Sequence, residues 1–145
     1  IQRVSEASVA VDGKTVGAIG AGTVVLLAVA LGDTEADADW LAKKIVELRM
    51  FGDSDGKMNL SLQDTGGSIL AISQFTLAAD TRKGLRPSFS SAAPPAEGEA
   101  LFDYLVSQAR AAWPRVATGE FGAYMEVALV NDGPVTLILD SRRRE

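Results

Sequence analysis

Thr-Val-Val-Leu-Leu-Ala-Val-Ala-Leu, residues 23–31, is the stretch that decides the fold. Its aliphatic and β-branched side chains leave no polar face, a pattern typical of a strand covered on both sides of a sheet. Glycines precede the run, and Gly32, Asp33 and Thr34 end it. We therefore expect a central strand here, with the rest of the chain arranged around it.

Further runs of apolar or alternating residues predict the other strands: residues 3–11, 14–19, 68–77, 116–121, 124–130 and 135–140. Asp12-Gly13 lies between the first two runs and favours a two-residue hairpin turn. Residues 131–134 lie between the last two runs and predict a second hairpin turn.

Two helices are predicted between the strands. The first follows Asp33 or Thr34 as N-cap and has acidic residues in its first turn. The second covers about residues 96–112 and is stopped by Pro114. Strands are in the majority, so the predicted fold class is α/β: a β-rich single domain whose sheets are covered by two helices. That domain is assigned to residues 1–141, followed by a charged tail at 142–145.

The amino-acid composition limits which kinds of catalysis and metal binding are possible. The chain has 145 residues, 47% of them hydrophobic, enough for one core. It contains no cysteine and no histidine, which excludes Ser-His-Asp and Cys-His catalysis and most zinc sites. We expect no metal and no cofactor. The net charge of −5 argues against a general electrostatic grip on nucleic acid, and no DNA partner is expected.

No long uncharged apolar run and no signal-peptide pattern at Ile1 to Val4 are present, so we expect a soluble, cytoplasmic protein without a membrane partner.

Residues 73–77, Ser-Gln-Phe-Thr-Leu, form the first candidate site and are called the wall segment below. Polar side chains here interrupt an apolar run at its end, where ligand sites are often built, although a satisfied strand edge is an equally good interpretation. Thr76 is a candidate nucleophile or donor, but without histidine it needs another base. The backbone N–H groups of Phe75 and Thr76 are alternative oxyanion donors.

Residues 131–136, Asn-Asp-Gly-Pro-Val-Thr, form the second candidate and are called the Gly-Pro segment below. Gly133 accepts positive φ, whereas Pro134 has a fixed φ and no N–H. The X-Pro bond is the one peptide bond for which the cis form is cheap, yet only about 5–6% of such bonds are cis in folded proteins. A plain hairpin turn is thus the simpler interpretation.

Five stretches together resemble the D-aminoacyl-tRNA deacylase family of bacteria and eukaryotes, and the similarity runs from Ile1 to about Ser141. These stretches are Ile1-Gln-Arg3-Val4, the wall segment, Thr81-Arg-Lys-Gly84, Arg86-Pro-Ser-Phe89 and the Gly-Pro segment. The resemblance implies a deacylase-like fold of α/β/β layers and a homodimeric esterase that removes D-amino acids, and glycine, from mischarged tRNA.

The resemblance also assigns roles to residues. It implies that the Gly133–Pro134 bond is cis and enters the partner subunit's pocket, where its carbonyl oxygens hold the amino group and exclude L side chains. Arg3 would hold this segment in place. Asn131 and Ser73 are placed with it in substrate binding and chiral selection.

The opposing wall would consist of Gln74, Phe75 and Thr76, with backbone N–H groups facing the ester, while the 2′-hydroxyl of the tRNA's terminal adenosine activates water. A supporting role is favoured for the Thr76 hydroxyl.

A basic cluster, Arg82, Lys83 and Arg86, is a candidate for phosphate contacts with the acceptor stem, although a solvated loop explains each residue nearly as well. Leu85 stands where the family commonly has a basic residue. The chain also starts at Ile1, without the usual initiating Met and next few residues, and we expect the first strand to fray there. The rival hypothesis is a non-catalytic binding module for a free D-amino acid or an RNA 3′ end.

Overall fold

The computed structural model describes residues 1–144. Its strands are β1 (Gln2–Val11), β2 (Lys14–Ile19), β3 (Gly22–Leu27), β4 (Phe51–Gly52), β5 (Met58–Leu60), β6 (Ser68–Ser73), β7 (Val116–Thr118) and β8 (Glu126–Thr136). Its helices are α1 (Glu35–Glu47), α2 (Leu62–Thr65), α3 (Pro95–Ala112) and a 3₁₀ helix (Phe75–Ala78).

Six of the strands form one mixed sheet in the order β2-β1-β3-β6-β7, and β8 pairs with β1. β1 pairs antiparallel with β2, β3 and β8, whereas β3, β6 and β7 run parallel to one another. β2 bends back over β7: a Cβ built on Gly17 would lie 2.5 Å from the carbonyl oxygen of Thr118. The sheet is therefore strongly coiled and nearly barrel-like.

The central strand is confirmed, because β3 lies between β1 and β6 and is buried on both faces. Val25 and Leu27 pack with α1 and α3 in one core cluster. Val24 faces the other way and packs with residues of β1 and β6 in a second cluster. Fully buried side chains on both faces explain why this stretch contains no polar alternation.

Local signals placed the first hairpin and the two long helices correctly. Asp12 and Gly13 have φ of 50° and 78°, as a two-residue hairpin turn requires. Thr34 is the N-cap of α1, and its backbone N–H donates to the Asp37 carboxylate at 2.9 Å. This hydrogen bond is the main cause that lowers the pKa of Asp37 below its ordinary value.

The predicted ends of four strands were wrong, since β7 stops at Thr118 rather than residue 121 and β8 stops at Thr136 rather than residue 140. β3 stops at Leu27 rather than residue 31, because residues 29–31 pair with residues 91–93 instead of continuing the sheet. β6 stops at Ser73 rather than residue 77, and the 3₁₀ helix follows directly. Each apolar run is longer than the strand it contains, because a run of apolar residues indicates burial but does not show where the backbone leaves the sheet.

The second predicted hairpin was also wrong, because β8 continues through residues 131–134 as one strand. The short helix α2 was not predicted; it is capped by Ser61, whose hydroxyl accepts from the Asp64 N–H. In the predicted tail, Arg142 and Arg144 reach Asp33 and Asp37 at 3.1 Å. Glu145 lies outside the described residues.

No helix within residues 1–144 is both long enough and apolar enough to cross a membrane.

Candidate active site

The Gly-Pro segment is a bulge in β8. Gln2 of β1 faces Thr136, and Val4 faces Asn131. A step of two residues on β1, from 2 to 4, is thus opposed by a step of five on β8, from 131 to 136. The extra residues cannot pair with β1, so they leave the ladder and project from the strand. A bulge and a hairpin turn require similar residues, which explains the wrong prediction.

The Asn131 side chain ties the two ends of the bulge together. Its Oδ1 accepts from the N–H of Val135 at 3.0 Å, and its Nδ2 donates to Oγ1 of Thr136 at 3.2 Å. These bonds replace the ladder bonds that the bulge interrupts.

Gly133 and Pro134 form the exposed tip of the bulge, and the peptide bond between them is cis. Gly133 has a φ of +137°, which L side chains rarely adopt. A Cβ there would lie 2.7 Å from Cγ2 of Val135 and 3.1 Å from Nη2 of Arg3. Only glycine fits this position.

Arg3 holds the base of the bulge. Its Nε donates to the carbonyl oxygen of Asp132 at 3.0 Å, and its Nη1 donates to the carbonyl oxygen of Met50 at 3.0 Å. The guanidinium also lies 3.7 Å from the Asp132 carboxylate, and only 17% of the Arg3 side chain is exposed. The structure thus brings Arg3 and the Gly-Pro segment together.

The wall segment begins where β6 ends. The N–H of Gln74 donates to the carbonyl oxygen of Leu27 at 2.7 Å, and the chain then turns into the 3₁₀ helix. Phe75 and Leu77 are 56% and 59% exposed, large values for apolar side chains. Phe75 meets the ring of Phe89 edge to face, with centroids 5.1 Å apart. Much of this segment is therefore uncovered within one chain.

The N–H groups of Phe75 and Thr76 are the first two of the 3₁₀ helix, so they have no acceptor inside it. The Thr76 hydroxyl accepts from Nε2 of Gln74 at 2.9 Å. An amide N–H cannot take up a proton, so this contact does not activate Thr76 as a nucleophile. The arrangement instead suits a site that works through donors.

The two candidate segments do not meet within one chain. Arg3, at the bulge, faces Thr23 near the start of β3, whereas Ser73 faces Leu27 at its end. Four residues of strand separate these positions, about 13 Å at about 3.3 Å per residue. One chain therefore contains both segments but no single site made of the two.

A cleft of about 700 Å³ lies beside the bulge. Arg3, Asp132 and Arg115 line it together with several glycines, but no residue of the wall segment does. The lining offers two arginines already bonded to backbone carbonyls, and its one carboxylate, Asp132, lies 3.7 Å from the Arg3 guanidinium. The wall segment and this cleft are therefore separate features of the chain.

The basic cluster lies on the long loop after the wall segment. Arg82 makes a 2.6 Å ion pair with Asp80, and this interaction lowers the pKa of Asp80 to about 2. Lys83, Leu85 and Arg86 are exposed. The cluster therefore offers fewer free charges than the sequence suggests.

Within residues 1–144, no three His, Cys, Asp or Glu side chains are grouped so that they would hold a metal ion.

One contact of the site was not predicted: the edge of Phe89 on Phe75. It joins residues well separated in the chain, and no local pattern signals it. The contact of Arg3 with the Gly-Pro segment was expected from the family resemblance and is seen as a hydrogen bond to the Asp132 carbonyl.

A coiled α/β sheet with an anchored Gly-Pro bulge and a polar strand end places the chain among proteins with a deacylase-like fold. The family model described as D-Tyr-tRNA(Tyr) deacylase matches residues 1–140, and the chain belongs to that family.

Individual relatives agree with this assignment. A protein of Stutzerimonas stutzeri named D-aminoacyl-tRNA deacylase is 62% identical over 141 residues, 97% of each chain. A solved structure titled c-Myc DNA Unwinding Element Binding Protein is 41% identical, with a TM-score of 0.91 over 96% of this chain and 95% of its own.

A structure of a probable eukaryotic D-amino acid tRNA deacylase has a TM-score of 0.76, covering 91% of this chain and 92% of its own. At 18% identity it shows a shared fold.

Proposed function

We propose that the chain hydrolyses the ester bond of D-aminoacyl-tRNA and releases the free D-amino acid and tRNA. The observation that carries this proposal is the match of the deacylase family model to residues 1–140. The Gly-Pro segment would supply a fixed backbone shape and the wall segment would supply backbone N–H donors, two features that an enzyme without histidine can use. The proposed setting is the cytoplasm.

The active unit of this proposal is a homodimer. The Gly-Pro segment projects from an edge strand, while the wall segment lies about 13 Å further along the sheet. A two-fold symmetric pair, in which the same patches meet twice, lets each bulge reach the other copy's wall segment. Such pairing would also cover the exposed Phe75 and Leu77.

Chiral selection then works by exclusion. The carbonyl oxygens of Gly133 and Pro134 would hold the substrate's amino group, and the backbone of the segment would occupy the space of an L side chain. Arg3 and Asn131 support this role by fixing the bulge at both ends. Ser73, at the end of β6, is placed at the substrate-binding edge.

A gate that rejects a side chain cannot reject glycine, which has none. Glycyl-tRNA mischarged on tRNA(Ala) is therefore a second proposed substrate.

The proposed chemistry is attack of water on the ester carbonyl carbon, while the 2′-hydroxyl of the terminal adenosine relays a proton, taking one from the water as it gives its own to the 3′-oxygen. The bond to the 3′-oxygen breaks, and that oxygen takes up the proton as it leaves. The N–H groups of Phe75 and Thr76 would stabilise the oxyanion, and Gln74 would fix the Thr76 hydroxyl. The protein contributes position and electrostatics rather than a general base.

On the tRNA side, Lys83 and Arg86 are proposed as weak phosphate contacts, with Arg82 shared between phosphate and Asp80.

The rival hypothesis is a binding module that holds a D-amino acid or an RNA 3′ end without cleaving it. Release of tyrosine from D-tyrosyl-tRNA, with L-tyrosyl-tRNA and added chelator as controls, separates the two. We expect fast release from the D substrate only, unchanged by chelator and by single-stranded DNA. Binding of D-tyrosyl-tRNA without release would favour the rival.

A further inference from the structure

The C-terminal tail is docked against the start of α1. Arg144 Nη2 donates to the Asp37 carboxylate at 3.1 Å, and its guanidinium lies 5.5 Å from the centre of the Trp40 ring. Ser141 is buried, with 8% of its surface exposed. Residues 142–144 are exposed, but the tail is held to the domain by the buried Ser141 and by the contacts of Arg144 with Asp37 and Trp40.

Arg142 reaches from this tail to the turn after β3. Its Nη2 donates to the carbonyl oxygen of Leu31 and, at 3.1 Å, to Oδ1 of Asp33. The other carboxylate oxygen of Asp33 accepts from the N–H of Ala30 at 2.8 Å, and only 13% of the Asp33 side chain is exposed. Arg142 thus closes a network that fixes the turn at residues 30–33.

That turn is paired with the far end of the long loop. The N–H of Leu31 donates to the carbonyl oxygen of Ser91 at 2.9 Å, and the N–H of Ala93 donates to that of Val29 at 2.9 Å. Backbone hydrogen bonds in this short ladder of residues 29–31 and 91–93 therefore hold the far end of the loop to the segment that follows β3.

The same loop end supports the wall segment. The Ser91 hydroxyl donates to the carbonyl oxygen of Ala78, the last residue of the 3₁₀ helix, at 2.8 Å. Phe89, two residues earlier, packs edge to face on Phe75. Hydrogen bonds therefore connect Arg142 through the ladder to Ala78 at one end of the 3₁₀ helix. An aromatic contact from the same loop reaches Phe75 at the other end.

We propose that Arg142 is a positioning residue for the wall segment, acting through the ladder of residues 29–31 and 91–93. This inference rests on the proposed deacylase function. Arg142 touches no residue of the wall segment, so its removal is expected to change how well the oxyanion donors are placed rather than how the tRNA is bound.

Arg143 provides a matched control. It lies in the same tail, its side chain is 88% exposed, and its ion pair with Asp140 has a separation of 4.0 Å. Arg143→Ala removes an equal charge and an equal side chain without touching the ladder. Arg142→Lys keeps the charge but replaces the planar guanidinium, whose Nη2 contacts both acceptors, with a more strongly hydrated ammonium on a flexible stem.

The experiment measures kcat and KM for D-tyrosyl-tRNA and hydrogen exchange at the amides of Leu31 and Ala93 in all three variants. We expect Arg142→Ala to lower kcat by about tenfold with KM nearly unchanged, since a misplacement of about 1 Å can cost about 100-fold. Both amides should exchange faster, because the ladder opens locally. Arg142→Lys should give an intermediate kcat, and Arg143→Ala should match the unmodified protein.

Equal kcat for the Arg142 and Arg143 variants, or a fall in kcat without faster exchange at Leu31 and Ala93, would overturn the inference. If Arg142→Ala does not fold, the kcat of Arg142→Lys against Arg143→Ala decides it in the same way. Failure of the unmodified protein to release D-tyrosine would instead contradict the proposed function itself.

Discussion

The Gly-Pro segment and the wall segment differ in how firmly one chain holds them. Asn131 and Arg3 fix the bulge with hydrogen bonds to its backbone and side chains, and Gly133 has no room for a Cβ. In the wall segment, by contrast, Phe75, Thr76 and Leu77 are all exposed.

In the proposed homodimer, this difference would decide which part of the site is complete before the two chains associate. The bulge is rigid backbone that needs no partner to keep its shape, as a gate that works by exclusion requires. The wall segment lacks a cover, and its proposed donors are useful only in a site from which water is excluded. In the proposed dimer, each chain would supply a Gly-Pro segment that already has its shape and a wall segment that is covered only by the other chain.

The largest effect is expected from Gly133→Ala. The new Cβ would collide with Val135 and press on Arg3, so the bulge must shift. We expect release from D-tyrosyl-tRNA to fall to the spontaneous rate, with release from L-tyrosyl-tRNA measured beside it as the test of chirality. Both rates are measured on the same preparation.

Gly13→Ala is the matched control, because Gly13 also has positive φ but a Cβ there would meet no atom within 4 Å. Normal activity and chirality in Gly133→Ala, with normal stability, would remove the bulge from the proposed site.

The next largest effect is expected from Phe75→Pro compared with Phe75→Ala. Both lose the aromatic contact with Phe89, but only proline removes the backbone N–H. Proline is tolerated at the first position of a helix, so the fold should survive. If that N–H binds the oxyanion, Phe75→Pro should have a kcat about 100-fold below that of Phe75→Ala. Equal kcat values would exclude this donor.

How far the sequence alone predicts these two segments also differs. Their residues are visible in the sequence because polar side chains interrupt apolar runs at both places. The shape of neither was predicted: the supposed hairpin is a bulge in β8, and the supposed strand end is a 3₁₀ helix.

The physical reason is that both shapes depend on distant partners. β8 continues past Pro134 because its end pairs with β1. At the end of β6, the N–H of Gln74 donates to the carbonyl oxygen of Leu27, after which the chain leaves the sheet. By contrast, Asp12-Gly13, Thr34 and Pro114 act within a few residues of themselves, so the first hairpin and both long helices were predicted correctly.

A smaller effect is expected from Thr76→Ala. Among the described residues, the Thr76 side chain forms a hydrogen bond only with Gln74. A neutral hydrogen bond contributes about 1 kcal/mol, so kcat should fall by less than about tenfold. A loss as large as that of Phe75→Pro would make the hydroxyl, rather than the backbone, the main element of the wall segment.

The smallest effect concerns the loop beside the wall segment. Its ion pair with Arg82 gives Asp80 a pKa of about 2 instead of 3.8. A depressed pKa means that the pair stabilises the folded loop above about pH 4 and that this contribution is lost as the pH falls toward 2. Arg82→Ala should return the Asp80 pKa toward 3.8, as measured by NMR titration. A pKa near 3.8 in the unmodified protein would contradict the pairing.

The most direct test of the account is to mix two inactive chains. Gly133→Ala damages the gate and Phe75→Pro damages the wall segment, so each variant alone should be inactive. In a symmetric dimer with sites built across the interface, random pairing gives half mixed dimers, each with one intact site.

Co-expression of the two variants should therefore restore about a quarter of the D-tyrosyl-tRNA deacylation of the unmodified protein. Release that stays at the level of the separate variants, in a preparation shown to contain mixed dimers, would contradict a site shared between two chains.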